Sequence, residues 1–174
     1  MKKFLLIAVA LMVTVCANAQ VKGGTYKSKL YLEGEISTGT RYKGLQQAVN
    51  GAIDLGLMSK KIYPYIRYES SLMLYKHDGQ KTYGNTYNLG GGFGIVLSDV
   101  TFPVNNAQRR TTSEFTMNLT SSIGGHDYKN TSLYAGFRIR TQGCFVGLGY
   151  RHMRSRHTPI HDYRGFIVNI GLTL

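Results

Sequence analysis

The 174-residue sequence contains no tryptophan, only 2 cysteines and 3 prolines, and 9 acidic side chains against 21 basic ones. Each shortage removes a class of protein. Cys16 lies in the N-terminal apolar run, so cleavage of that run leaves Cys144 alone and excludes a secreted mini-domain stapled by intrachain disulfides. Long apolar stretches are missing as well. The N-terminal run is shorter than the roughly 20 residues a transmembrane helix needs, and the best later run, Cys144 to Tyr150, is interrupted by glycines. Any membrane insertion therefore has to use strands. What the chain does have is 21 Gly, 13 Tyr and 7 Phe, a composition that favours turns and aromatic-rich strands over a helix bundle. The length fits one domain.

Residues 1–19 read as a signal peptide: Lys2-Lys3 form a positive n-region, Phe4 to Val15 an apolar core, and Ala17-Asn18-Ala19 an A-x-A cleavage site. A lipoprotein route through Cys16 fits less well, because Val15 and Thr14 stand where a small residue is needed. Loss of Lys2 and Lys3 takes the formal charge from +12 to about +10, so the exported chain, residues 20–174, remains basic. Export separates it from chromosomal DNA, which excludes nucleic-acid binding and leaves membrane phosphates or acidic ligands as partners.

After residue 28 the sequence alternates between two chemically different faces, the mark of strands. Eight segments are predicted: Ser28–Ser37, Gln46–Leu57, Lys61–Tyr75, Tyr83–Leu97, Arg110–Ser121, Thr131–Arg140, Gly143–His152 and Tyr163–Leu174. One face is apolar throughout, with Leu55, Phe93, Phe137 and Leu148 among its members. The other carries Glu33, Glu35, Asp54, Arg67, Glu69, Glu114, Arg138, Arg140 and Arg151, interspersed with glycines such as Gly92, Gly94, Gly136 and Gly149. A soluble barrel or sandwich would turn the apolar face inward, and a membrane barrel would turn it toward lipid. The polar face favours the second. Lysine is nearly absent from strand centres, and the acids are matched by arginines, as the narrow lumen of an eight-stranded barrel requires for buried charges. Soluble eight-stranded carriers remain the alternative, although their Gly-x-Trp start is impossible in a chain without tryptophan.

Connection lengths predict the topology. Short turns are expected at Met58–Lys60 and Thr141–Gln142, and longer polar outer loops at Thr38–Leu45, Lys76–Thr82, Ser122–Asn130 and Met153–Asp162, opposite both termini. Ser98–Arg109 stands apart as a long connection on the inner side, an exception that a strand extension would explain.

The cleavage site, the eight alternating segments and the last strand, Arg164-Gly165-Phe166-Ile167-Val168-Asn169-Ile170-Gly171-Leu172-Thr173-Leu174, resemble the small OmpX-like outer-membrane β-barrels of Gram-negative bacteria over essentially all of residues 20–174. Members usually end in an aromatic residue where this chain has Leu174. The resemblance implies an eight-stranded antiparallel up-and-down barrel in the outer membrane, acting as a structural or surface-interaction protein through its extracellular loops.

Candidate chemistry is sparse. His77, His126, His152, His157 and His161 all fall in or beside expected outer loops, and three of them share one loop, but the spacing matches no zinc signature. The dipeptides His77-Asp78, His126-Asp127 and His161-Asp162 invite comparison with outer-membrane barrel enzymes, and a lipid-modifying or hydrolytic barrel enzyme is the alternative function, ahead of a soluble carrier. Adjacent residues of an extended chain point to opposite faces, however, so neighbours in sequence make no catalytic dyad. Gly90-Gly91-Gly92-Phe93-Gly94 lacks the Lys-Ser/Thr of a phosphate loop and reads as a strand with room for lumen side chains. No catalytic residue, metal or cofactor is expected. Basic side chains gather at both rims, Arg41, Lys43, Lys76, Lys81, Lys129, Arg154 and Arg156 outside and Lys60, Lys61, Arg109 and Arg110 inside, where outer-membrane lipid and lipopolysaccharide phosphates are the natural partners.

Overall fold

The computed structural model describes residues 29–58, 61–77, 80–104, 107–124, 128–156 and 160–173. The signal-peptide reading of residues 1–19 lies outside them. The described chain forms nine antiparallel strands: β1 (Lys29–Gly39), β2 (Arg41–Tyr42), β3 (Leu45–Met58), β4 (Ile62–His77), β5 (Gln80–Val104), β6 (Ala107–Gly124), β7 (Asn130–Thr141), β8 (Cys144–Ser155) and β9 (Tyr163–Thr173). Each long strand pairs with the next, and β1 pairs with both β3 and β9, so eight strands close into a ring and β2 is a short appendage of β1. No helix occurs among the described residues. Closure leaves no unpaired edge around the barrel wall.

Three sequence expectations need correction. Thr38–Leu45 is not a long loop: Arg41 pairs with Gln46 and Tyr42 with Leu45, leaving Lys43-Gly44 as a two-residue turn. Both turn residues have positive φ, 46° and 84°, which suits a hairpin whose twist matches its strands, and only the glycine tolerates that conformation without strain. Lys76–Thr82 is likewise mostly strand, since pairing runs on to His77 and Gln80. The expected turn at Thr141–Gln142 falls one residue later, at Gln142-Gly143, with the same backbone signs. At the opposite end, Ser98–Arg109 is paired strand as far as Val104 and Ala107, so the exceptional connection is an extended hairpin.

The faces are inverted relative to a water-soluble protein. Leu55, Phe93, Phe137 and Leu148 are 44%, 38%, 61% and 55% exposed and point outward, so the soluble-carrier assignment is wrong for this chain. A belt of such residues runs round the ring, through Ile36, Ile53, Leu72, Leu119, Ile139 and Val168. Inside, large side chains are fitted against glycines. A Cβ at Gly149 would lie 2.5 Å from the Tyr134 ring, Gly136 sits under the same ring, and Gly94 lies beneath Tyr63. Gly149→Val is accordingly expected to destabilise the barrel by about 1–3 kcal/mol through overpacking, read as a lower urea midpoint in detergent. An unchanged midpoint would mean that Tyr134 has space to move.

Candidate functional site

The alternation that places apolar residues outside places all nine charged candidates inside, where every one is buried: Glu33, Glu35, Asp54, Arg67, Glu69, Glu114, Arg138, Arg140 and Arg151. They form two layers. In the layer nearer the termini, Arg138 and Arg140 of β7 bridge Glu33 of β1 and Glu114 of β6. Arg138 Nε lies 2.7 Å from Glu114 Oε2, Arg140 Nη2 lies 2.6 Å from Glu33 Oε2, and Arg140 Nε lies 2.9 Å from Glu114 Oε1, while Arg138 Nη1 reaches Glu33. Tyr63 donates its hydroxyl to Glu114 at 2.5 Å and accepts from Arg138 at 2.6 Å. The Phe145 ring lies 4.7 Å from the Arg138 guanidinium.

The second layer is built on Arg67 of β4. Its three nitrogens reach three carboxylates: Nη2 to Glu35 at 2.5 Å, Nη1 to Asp54 at 2.9 Å and Nε to Glu69 at 3.2 Å. Glu69 also meets Arg151 Nη2 at 3.2 Å and accepts from Asn88 and Thr120. Arg151 donates to Gln47 at 3.1 Å. Three acids thus share two guanidiniums in this layer, against two of each in the other. Ions this deeply buried are tolerable only when paired and hydrogen-bonded, which is what both layers provide.

Sequence reasoning left part of the interior unassigned. Leu45, Met73, Tyr128, Tyr134, Met153, Tyr163 and Ile167 form a buried apolar cluster at the end away from the termini. Tyr31, Tyr63 and Tyr65 form a second near the termini. Parity alone identifies most of them: Tyr31 lies two residues before Glu33, Tyr65 two before Arg67, and Met153 two after Arg151. Burial pushes the Tyr128 phenol pKa above its usual value. Aromatic, ionic and apolar layers thus follow one another inside the barrel among the described residues.

At the rim opposite the termini, an open cleft of about 800 Å³ is lined by Tyr42, Lys43, Arg156, Ile160, His161 and Arg164, with Asp162 as its acid. Hydrogen bonds hold its walls: the Thr40 amide donates to the Phe166 carbonyl at 2.9 Å and the Phe166 amide to Thr40 Oγ1 at 3.0 Å, Tyr163 donates to the Thr40 carbonyl at 2.8 Å, and Arg156 Nε donates to Thr131 at 3.1 Å. Asp162 accepts from the Ser155 amide at 2.9 Å, and His152 Nε2 lies 3.8 Å from its other oxygen, beyond hydrogen-bond reach. Among the described residues, no group of three or more His, Cys, Asp or Glu side chains is placed to hold a metal ion. His126 and His157 lie outside the described residues.

No family model and no curated protein sequence matches the chain. Among solved structures, the crystal structure of Neisserial surface protein A is similar, with a TM-score of 0.46 and 14% identity over 83% of this chain and 96% of that one.

Proposed function

We propose that the exported chain is an integral outer-membrane β-barrel of a Gram-negative bacterium, non-enzymatic and non-conducting, that meets the exterior through the rim opposite its termini. The observation that carries this reading is the inverted distribution of side chains: a continuous apolar belt outside and nine paired charges inside. Water would penalise that exterior, whereas hydrocarbon accepts it. The signal-like residues 1–19 and the closed sheet support the same location.

The buried ion-pair layers and apolar clusters inside the barrel support a closed lumen, and with it a structural or surface-interaction role over a pore. Lys43, Arg154, Arg156 and Arg164 at the far rim suit outer-membrane lipid and lipopolysaccharide phosphates, and the cleft beside them offers space for an extracellular ligand. Fractionation to the outer membrane with heat-modified gel migration tests location and closure together. Planar bilayers should show no conductance comparable to a general porin's; such conductance would overturn the closed-lumen reading.

Orientation has its own test, because the native Cys144 is exposed near the end that carries the termini. A cysteine introduced by Ser155→Cys should react with an impermeant maleimide in intact cells, and Cys144 only after permeabilisation. The reverse pattern would invert the topology.

A further inference from the structure

Beyond the barrel wall, β5 and β6 continue as a two-stranded ribbon. The last pair between β4 and β5 is Ile62 with Ile95, and the last between β6 and β7 is Thr111 with Thr141. From Ser98↔Ser113 to Val104↔Ala107, β5 pairs only with β6 among the described residues. Isolated ribbons are marginal in water, so one held out from a barrel needs a reason.

Its edges are defended against another strand. Pro103 has no N–H to offer, a register shift interrupts the ladder between Val96 and Ser98, and Arg109 and Arg110 charge the other strand. Its faces differ. On the face continuing the lumen, Asp99 and Arg110 form a two-pronged ion pair at 2.8 and 2.7 Å, which neutralises both in place. On the face continuing the outer belt, Leu97, Val100 and Phe102 are 56%, 53% and 40% exposed, the same range as the belt itself. Arg109 stands opposite Phe102 on that face with no acidic partner among the described residues, and Lys61 is exposed at the same end of the barrel.

We infer that the outward face of this ribbon rests on the headgroup layer of the leaflet at the terminal end, with Val100 and Phe102 in the acyl boundary and Arg109 on lipid phosphate. The inference rests on the membrane reading above. Continuity of the apolar belt selects lipid over a soluble partner, and the unpaired cation beside an apolar ring matches an anionic interface. Leu97 to Phe102 spans roughly 16 Å at ~3.3 Å per residue. A straight continuation would carry Phe102 past the headgroups, and the register shift at Val96/Ser98 is the kind of irregularity that lets a strand bend, as contact with the headgroups requires.

The absence of tryptophan makes the test direct. Phe102→Trp, Phe93→Trp and Thr101→Trp each introduce a single fluorophore into the full barrel, reconstituted in phosphatidylethanolamine/phosphatidylglycerol vesicles with brominated acyl chains. Phe93→Trp reports the belt. Phe102→Trp should be blue-shifted and quenched, Thr101→Trp should be neither, and Arg109→Glu should reduce the quenching at 102 but not at 93. An unquenched Phe102→Trp beside a quenched Phe93→Trp overturns the inference and leaves the membrane reading standing. Equal quenching at 101 and 102 overturns the one-faced contact, and no quenching at 93 removes the membrane reading itself.

Discussion

Replacing Arg67 with methionine is expected to cost the folded barrel about 3–5 kcal/mol, the range for removing one partner from a buried ion pair. The three carboxylates it serves would not suffer equally. Glu69 keeps Arg151, Asn88 and Thr120, and Glu35 keeps the Asn169 amide at 3.2 Å. Asp54 loses more: Oδ2 bonds to Arg67, and Oδ1 has no hydrogen-bond partner among the described residues. The penalty should therefore concentrate on Asp54, and a second change, Asp54→Asn, should recover part of it by removing the stranded charge. Arg67→Lys should fall between, since an ammonium supplies charge without the fork that spans three acids. Urea unfolding in detergent, followed by heat-modified migration, reads all four proteins. If Arg67→Met costs under ~0.5 kcal/mol, as a surface substitution would, the layer is hydrated and the lumen is not closed.

The same strand parity that places these groups was readable in the sequence, and it explains both what was legible and what was not. Arg67 and Glu69 lie two residues apart between apolar Ile66, Tyr68 and Leu72, so a period of two assigns them to one face and the apolar residues to the other. Weighing that face by its charges hid the tyrosines and methionines that share it, although Tyr63, Tyr65 and Met73 follow the same count. Loop length was harder to read. At the rim both sheet faces are polar, so alternation fades while pairing continues, and Thr38–Leu45 looks like a loop although β2 pairs with β3 there. The better signal was the turn dipeptide. Lys43-Gly44 and Gln142-Gly143 both place glycine second in a two-residue hairpin, and Asp78-Gly79 between the paired His77 and Gln80 carries the same sequence mark. At Ser98–Arg109 a strand extension is one reading of the long connection, but the alternation there is short, Val100 and Phe102 against Asp99 and Thr101, and with both faces exposed it does not fix the pairing.

Arginine on the outside of the barrel separates the membrane reading from its soluble alternative more sharply than any interior change. Leu148 sits midway along β8, opposite Phe137 on β7 and Val168 on β9, inside the apolar belt. Leu30 lies near the start of β1, opposite Leu57, at the edge of that belt. In a bilayer, Leu148→Arg should cost about 2–4 kcal/mol, because the charge must be dragged to hydrocarbon depth, and Leu30→Arg about 0–1 kcal/mol, because it reaches the headgroups. In water an outward arginine at either position would change stability by under ~0.5 kcal/mol. The gap between the two variants is the diagnostic quantity, since it cancels any effect common to adding charge to a basic protein. Urea unfolding in phospholipid vesicles measures it directly. Equal, small costs at both positions would show that the belt faces no hydrocarbon, and the exposed apolar exterior would then require a protein partner instead.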